Sequence, residues 1–454
     1  MLKHLPLAIL CAFFAADKCA AAEAPSVTRI RAGKYRYIVS TNCPEHRTQV
    51  GSTVKLGIVV DSEEPGFVRV NRFVNGLPRG EAEIIKIGER ADFALTPEVP
   101  GSAALICEVL DREKKPALNS RKRPYVVGIG VLVSPEKIRP GNAEEPADFD
   151  TFWKARRAEL DKVPVRAERK ESELDPKYKG IVCYDVQVDC AGRVPVSGYL
   201  CMPRDAGQKS LPALVMFHGA GVLSAQKHPE YAASAIVFNI NAHGLPNGKS
   251  PAYYKKLGAT TLKTYRVADL DDRDKIYFVG MFVRVMRALD YVKSLPEWDG
   301  KNLIVMGGSQ GGAQSLAAAG LDKQVTLCCA HIPALCDLGG TKAGRRPGWP
   351  IHLPTNTRKW DAPEVIAATA YLDGVFLARR IKCPVYVSTG LIDQTCVPPA
   401  VYSVYNSFAD GVEKHIEFNP RGGHGTVSFS KAGIAEVARQ LGCETEENST
   451  TNKK

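Results

Sequence analysis

Residues 303–312 read Leu303, Ile304, Val305, Met306, Gly307, Gly308, Ser309, Gln310, Gly311, Gly312: an apolar run that stops in glycines around a single serine. Four successive apolar residues suit a strand buried on both faces, and residues 312–319 continue as a helical run. A strand that passes directly into a helix needs a strained turn, where glycines on either side remove the Cβ atoms that would collide. Residues 307–311 spell G-x-S-x-G in that setting and leave Ser309 standing exposed as a candidate nucleophile. Five residues alone are weak, because glycine and serine are common. The strand before and the helix after give them meaning. A phosphate-cradling loop is the alternative, but neither G-x-x-x-x-G-K-[ST] nor G-x-G-x-x-G is spelled here.

Outward from this turn, strands and helices alternate. Residues 214–217, 235–240, 303–306, 325–330, 385–387 and 416–418 read as strands, and residues 275–295 as an amphipathic helix. A helix over 149–160 and a strand pair at 182–188 and 194–202 precede them. This alternation predicts an α/β class with a mostly parallel sheet covered by helices on both faces. The front of the chain differs. Short strands at 35–40, 53–60, 67–70, 91–95, 103–110 and 125–133, with no amphipathic helix, predict a small all-β, Ig-like sandwich. The expected division is a leader at 1–22, the sandwich at 27–137, a linker at 138–147 with Pro140, Gly141 and Pro146, the α/β domain at 148–443, and a disordered polar tail at 444–454.

A serine hydroxyl is a poor nucleophile until a base takes its proton, and that base needs a partner to fix its tautomer. In an open α/β sheet both belong on loops past the carboxyl ends of later strands. Asp393, after strand 385–387, and His424, after strand 416–418, satisfy this, and the order Ser309, Asp393, His424 is that of α/β hydrolases. His331, His352 and His415 are rival bases, and Asp337 is the understudy for Asp393. Two backbone donors should face the developing oxyanion. The amide of Gln310 is one, and Ala220, in the glycine-rich loop after strand 214–217, is the other candidate. His218 in that loop reads as structural.

The chain has 454 residues, 44% hydrophobic and 24% charged, a balance that excludes a disordered or wholly membrane-embedded protein. Lys3 and the apolar residues 5–16, followed by Ala20, Ala21 and Ala22, read as a secretory signal, so the protein is expected to be exported, periplasmic or extracellular. No later run is long enough to span a membrane. Of 13 cysteines, Cys11 and Cys19 fall in the leader; Cys43 and Cys107 either bridge or stay as buried thiols. No C-x-x-C or H-E-x-x-H occurs, so neither a metal nor a cofactor is called for. The net charge is +11, and part of it gathers at residues 111–123, with Lys114, Lys115, Arg121, Lys122 and Arg123. A solvated hairpin tip is the plain reading; on an exported protein a polysaccharide is a better neighbour for it than nucleic acid.

These residues resemble the acetyl xylan esterase and cephalosporin C deacetylase family, carbohydrate esterases with the α/β-hydrolase fold. The resemblance covers residues 146–442: Asp148, Phe149, Asp150, Phe152 and Trp153 at its start, His218-Gly219, Ser309-Gln310-Gly311-Gly312, and Asp393, Cys396, Pro398, Pro399, Tyr405 and Asn406. It implies that Ser309, Asp393 and His424 form the triad, and that an acetylated carbohydrate such as xylan is the substrate. Ala242-His243-Gly244 replaces the family's usual R-G-Q, Gly425 follows His424 where a glutamate is usual, and Ala220 replaces an aromatic. These departures touch the substrate pocket. A serine peptidase of the prolyl oligopeptidase kind, and a silent glycan-binding protein, are the competing readings. The first calls for propeller repeats that the front of the chain lacks; the second calls for a lost triad member.

Two long interruptions, residues 245–274 and 339–364, carry Tyr253, Tyr254, Trp349, Trp360, Arg345 and Arg346. Long loops are often functional. Tyr253, Tyr254, Trp349 and Trp360 are therefore expected to stack on sugar rings, and Arg345 and Arg346 to meet a uronic acid; His243, in the stretch that departs from the family's R-G-Q, is expected to touch substrate as well.

Overall fold

The computed structural model describes residues 26–192, 194–353, 359 and 361–442. The expected leader and tail, and Trp360, lie outside the described residues. The α/β part is built on nine strands in the spatial order Ala167–Glu171, Ile181–Val188, Val196–Pro203, Ile236–Ile240, Leu211–Phe217, Trp298–Gly308, Leu327–His331, Val385–Gly390 and Lys414–Asn419. The first four pair antiparallel, and from Ile236–Ile240 onward every pairing is parallel. Neighbouring residues of the central strands serve opposite cores. Val215 and Val305 pack under the helices Phe149–Asp161, Tyr277–Lys293 and Gln310–Leu321, whereas Leu214 and Ile304 pack toward Val437 of the helix Lys431–Gln440. Burial on both faces is why these strands read as unbroken apolar runs. The edge strand Ala167–Glu171, all exposed and reading AERKE, has no such signal, and sequence reasoning passed over it.

The strand Leu211–Phe217 lies between Ile236–Ile240 on one side and Trp298–Gly308 on the other, so the chain reverses its direction of winding there. Loops leaving such a reversal at the carboxyl ends of the strands diverge and open a crevice. Residues 218–221 and Ser309 leave the sheet at that point.

The front of the chain forms two sheets. One contains Ser26–Ala32, Tyr35–Thr41, Val54–Asp61 and Arg90–Leu95; the other contains Arg47–Thr48, Val126–Val133, Gly101–Leu110, Phe67–Val74 and Leu77–Pro78, with Glu83–Lys86 added on Phe67–Val74. Alternate residues, among them Tyr37, Val39, Leu56, Ile58, Leu105, Val109, Ile129 and Val131, fill the core between them. Cys43 and Cys107 are in that core as free thiols. The outward residues of the second sheet are buried as well, because they meet the α/β part: Ile106 and Ala104 pack on Ile392, and Leu132 packs with Leu391 and Tyr402. The connecting stretch is no free tether. Asn406 donates to the carbonyls of Pro135 (2.7 Å) and Ile138 (2.9 Å), Arg345 to that of Arg139 (2.6 Å), and the amide of Gly141 to Asp337 (2.7 Å). No helix among the described residues is long and apolar enough to cross a membrane.

Candidate active site

Ser309 joins the strand Trp298–Gly308 to the helix Gln310–Leu321 with φ 57° and ψ −119°, a backbone region that non-glycine residues occupy only where their surroundings compel it. Those surroundings are visible. The Ser309 amide donates to the His331 carbonyl (2.9 Å), and its own carbonyl accepts from Ala334 (2.9 Å) and Ala313 (3.1 Å). The neighbouring glycines answer to collision: a Cβ on Gly307 would stand 2.5 Å from the Gly311 carbonyl oxygen, and one on Gly311 would stand 2.1 Å from that of Phe217.

Two loops bring their side chains to this serine. His424 Nε2 is 3.0 Å from Ser309 Oγ, and His424 Nδ1 is 2.8 Å from Asp393 Oδ2. Asp393 is fully buried, and its Oδ1 accepts from the amides of Thr395 (2.7 Å) and Cys396 (3.0 Å), so one oxygen is fixed by backbone while the other faces the imidazole. A carboxylate on Nδ1 places the proton there and leaves Nε2 free to accept from the serine. The side chains of the rival histidines and of Asp337 are engaged with other partners. Asp337 is buried in an ion pair with Arg345 (2.7 Å), His331 bonds Ser388 Oγ (2.6 Å) and stacks on Phe429, His352 bonds the Pro347 carbonyl (3.1 Å), and His415 stacks on Tyr386. Burial lowers His331 and His352 to about 4, so both are neutral near pH 7.

The loop 218–221 lies beside the serine. Gly219 approaches closely, since a Cβ there would stand 3.6 Å from the Gly308 oxygen and 3.9 Å from Ser309 Cβ; Ala220 is exposed next to it. Gln310 is buried at the head of its helix, where first-turn amides have no partner inside the helix and the helix dipole favours negative charge.

His243 and Trp349 are not placed as the sequence reading expected. His243 is buried, with Nε2 donating to the Gly221 carbonyl (3.1 Å) and Nδ1 accepting from Tyr277 Oη (2.9 Å). Burial, followed by the charges of His218 and Arg284, pushes it down to about 3. It anchors the loop from behind and has no nitrogen left for a substrate. Trp349 is also buried, edge-on to Phe278 in the core. Tyr254 is buried too, bonded to the Pro246 carbonyl, and Arg345 is consumed by Asp337. Sequence reasoning missed Tyr265, which donates to Gln310 Oε1 (3.1 Å) and packs edge-on against His243 at 4.6 Å, and Arg284, which donates to the Ala242 carbonyl (2.9 Å). No spacing in the sequence ties these residues to the serine; only the fold does.

A mostly parallel sheet, a serine on a strand-to-helix turn, and a histidine and aspartate on loops of the last two strands define an α/β hydrolase. The family model for acetyl xylan esterase matches residues 136–440, and the chain belongs to that family. It is 37% identical over 292 residues to the acetyl esterase Axe7A of Xylanibacter ruminicola, a match covering 62% of this chain and 64% of that protein, so it spans less than two thirds of this relative's length. Among solved structures it is similar to the acetyl xylan esterase of Paenibacillus sp. R4, with TM-score 0.57 and 25% identity, covering 68% of this chain and 98% of that one. It is also similar to acetyl xylan esterase 1 of Thermoanaerobacterium sp. JW/SL YS485, with TM-score 0.54 and 27% identity, covering 68% and 96%. The sandwich lies before the stretch that the family model matches.

Proposed function

We propose that this protein is an exported serine esterase that removes acetyl groups from a carbohydrate, such as acetylated xylan, through an acyl-enzyme. The observation that carries this reading is the hydrogen-bonded line from Ser309 Oγ through His424 to buried Asp393, in a chain of the acetyl xylan esterase family. Ser309 Oγ attacks the ester carbonyl while His424 Nε2 takes its proton. The tetrahedral oxyanion is met by the amide of Gln310 and by an amide of loop 218–221, with Ala220 as the donor. The carbonyl re-forms as the C–O bond to the sugar breaks, and His424 returns the proton to the leaving hydroxyl. Water, deprotonated by the same imidazole, then releases acetate and frees Ser309. Asp393 keeps the proton on Nδ1 and stabilises the imidazolium in both halves. Export is supported by the basic and apolar residues 1–22, and a short acyl group by the relative's name.

The test is hydrolysis of 4-nitrophenyl acetate, butyrate and longer esters, then acetylated xylan, by wild type and Ser309→Ala. The expected result is loss of activity in the variant and preference for acetate in the wild type. Equal activity of the two proteins would overturn the assignment, and preference for long chains would replace the acetyl reading with a lipase-like one.

A further inference from the structure

The loop between the sandwich strands Gly101–Leu110 and Val126–Val133 runs back toward the active site. Its tip is held by its own hydrogen bonds: Asn119 Oδ1 accepts from the amides of Arg121 (2.9 Å) and Arg123 (3.1 Å), and the Asn119 amide donates to the Arg123 carbonyl (2.8 Å). Lys122 takes φ 55° to close this turn. Arg121, Lys122 and Arg123 therefore leave a fixed turn as three consecutive exposed cations. In the same loop Lys115 pairs with Glu113, and Lys114 sits over the Phe67 ring. Among the described residues no carboxylate lies within ion-pair distance of Arg121, Lys122 or Arg123.

Their position gives them a use. A Cβ on Gly425 would stand 3.6 Å from Arg123 Nη1, and Gly425 directly follows His424, whose Nε2 reaches Ser309. The sandwich thus sets an unpaired guanidinium one residue from the imidazole that moves the proton. Glycine at 425 offers it no side-chain partner. A further cation, half-buried Arg346, has its Nε enclosed without a hydrogen-bond partner and feels the charge of Asp393.

We propose that Arg123, flanked by Arg121 and Lys122, forms an anion-binding subsite at the mouth of the active site. The anion is borne by the glycan itself, as a uronate carboxylate or a sulfate ester close to the acetylated sugar. This rests on the esterase reading above and narrows its substrate to acidic glycans. An arginine offers a planar fork of N–H donors that fits either group with two parallel hydrogen bonds. Exposed ion pairs are individually weak, so the three cations act together, drawing the charged chain in and fixing its register. Salt weakens such an attraction, because screening sets in over about 8–10 Å at physiological ionic strength. A neutral ester gains nothing from it.

The experiment compares kcat/KM on acetylated oligosaccharides that are neutral, uronate-bearing or sulfated, for wild type, Arg123→Glu and the combined Arg121→Ser, Lys122→Ser, Arg123→Ser protein, each at low and at about 0.5 M salt. The ratio of charged to neutral substrate is expected to be about three- to tenfold in the wild type, and to fall to one or below in both variants and in high salt. Preference for the uronate substrate alone identifies the anion as a carboxylate; preference for the sulfated one alone identifies a sulfate ester. A wild-type ratio near one, or a ratio unchanged in Arg123→Glu, overturns the subsite. Absence of hydrolysis of every ester, 4-nitrophenyl acetate included, would instead overturn the esterase reading, so the two failures are distinct.

Discussion

Gly130 of the sandwich lies so close to Leu391 that a Cβ on the glycine would stand 2.6 Å from both the Cβ and the carbonyl oxygen of the leucine. Gly128, two residues earlier on the same strand, stands in the same relation to Ile392, at 2.9 Å from its Cδ1. The Gly130 amide also donates to the Pro420 carbonyl at 2.8 Å, four residues before His424. The loops that carry Asp393 and His424 therefore both rest on the strand Val126–Val133. Two missing side chains on that strand allow the approach.

Gly130→Val is accordingly expected to displace the loop before Asp393, since the nearest obstacle includes backbone that cannot rotate away. A misplacement of about 1 Å at a reacting group can lower the rate by about 100-fold. The check is kcat for 4-nitrophenyl acetate alongside the thermal midpoint. A folded variant that turns over at the wild-type rate would show that the sandwich does not hold the loop in its working position.

Asp393→Asn keeps the shape and changes the proton. The asparagine oxygen can still accept from Thr395 and Cys396, which turns its NH2 toward His424 Nδ1. Nδ1 must then accept, the proton moves to Nε2, and the ring can no longer take the proton of Ser309. A fall in kcat of about 10³- to 10⁴-fold is expected, with KM little changed. Steady-state kinetics decide it, and a loss below about tenfold would contradict the role given to Asp393.

Gly311→Ala tests the turn rather than the chemistry. Its Cβ would meet the Phe217 carbonyl oxygen at 2.1 Å, within the central sheet where neither side can yield. Forcing a methyl into packed surroundings costs about 1–3 kcal/mol, and more where backbone must shift. Denaturant unfolding of the variant should show a midpoint well below wild type; an unchanged midpoint would mean that the turn is looser than described.

Acid should destabilise the fold. Burial lowers His331 and His352 to about 4, His243 to about 3, and His218 as well, while unfolded histidines protonate near 6.5. Between about 4 and 6.5 the unfolded chain binds protons that these folded residues refuse, so stability falls as pH falls through that window. Two aspartates oppose this. Burial, then the charge of Asp337, raises Asp373 to about 7, and burial raises Asp337; each holds its proton to a higher pH when folded than when unfolded, which favours folding as pH falls. Five histidines, His46 being lowered by burial too, against two aspartates leave a net loss. The thermal midpoint is expected to drop by about 5 °C or more from pH 7 to pH 5. A midpoint that held or rose would place these histidines in contact with water.

Much of the site was legible because its parts are local. The turn around Ser309 is encoded within ten residues, Asp393 follows the apolar run 385–387, and His424 follows the short alternation Ile416, Glu417, Phe418. Cys43 and Cys107 had two readings from sequence, and their separation into free thiols is a matter of packing. The sequence points to Trp349 as a substrate contact because aromatic residues in long loops often face solvent, and to His243 because it stands where the family pattern changes. Both side chains turn inward: His243 holds the loop at Gly221 from behind, and Trp349 packs edge-on to Phe278 in the core.

By itself the sequence determined the class of fold, with an all-β front ahead of an α/β body, and the chain order of serine, aspartate and histidine. Those follow from periodicity and from short-range steric demands, which act between residues close in the chain. Only the tertiary structure decided that the sandwich bears on the loops of Asp393 and His424, and that Arg123 comes to rest beside Gly425. These contacts join residues about 260 to 300 positions apart in the chain, and no local preference of either partner records that the other is there.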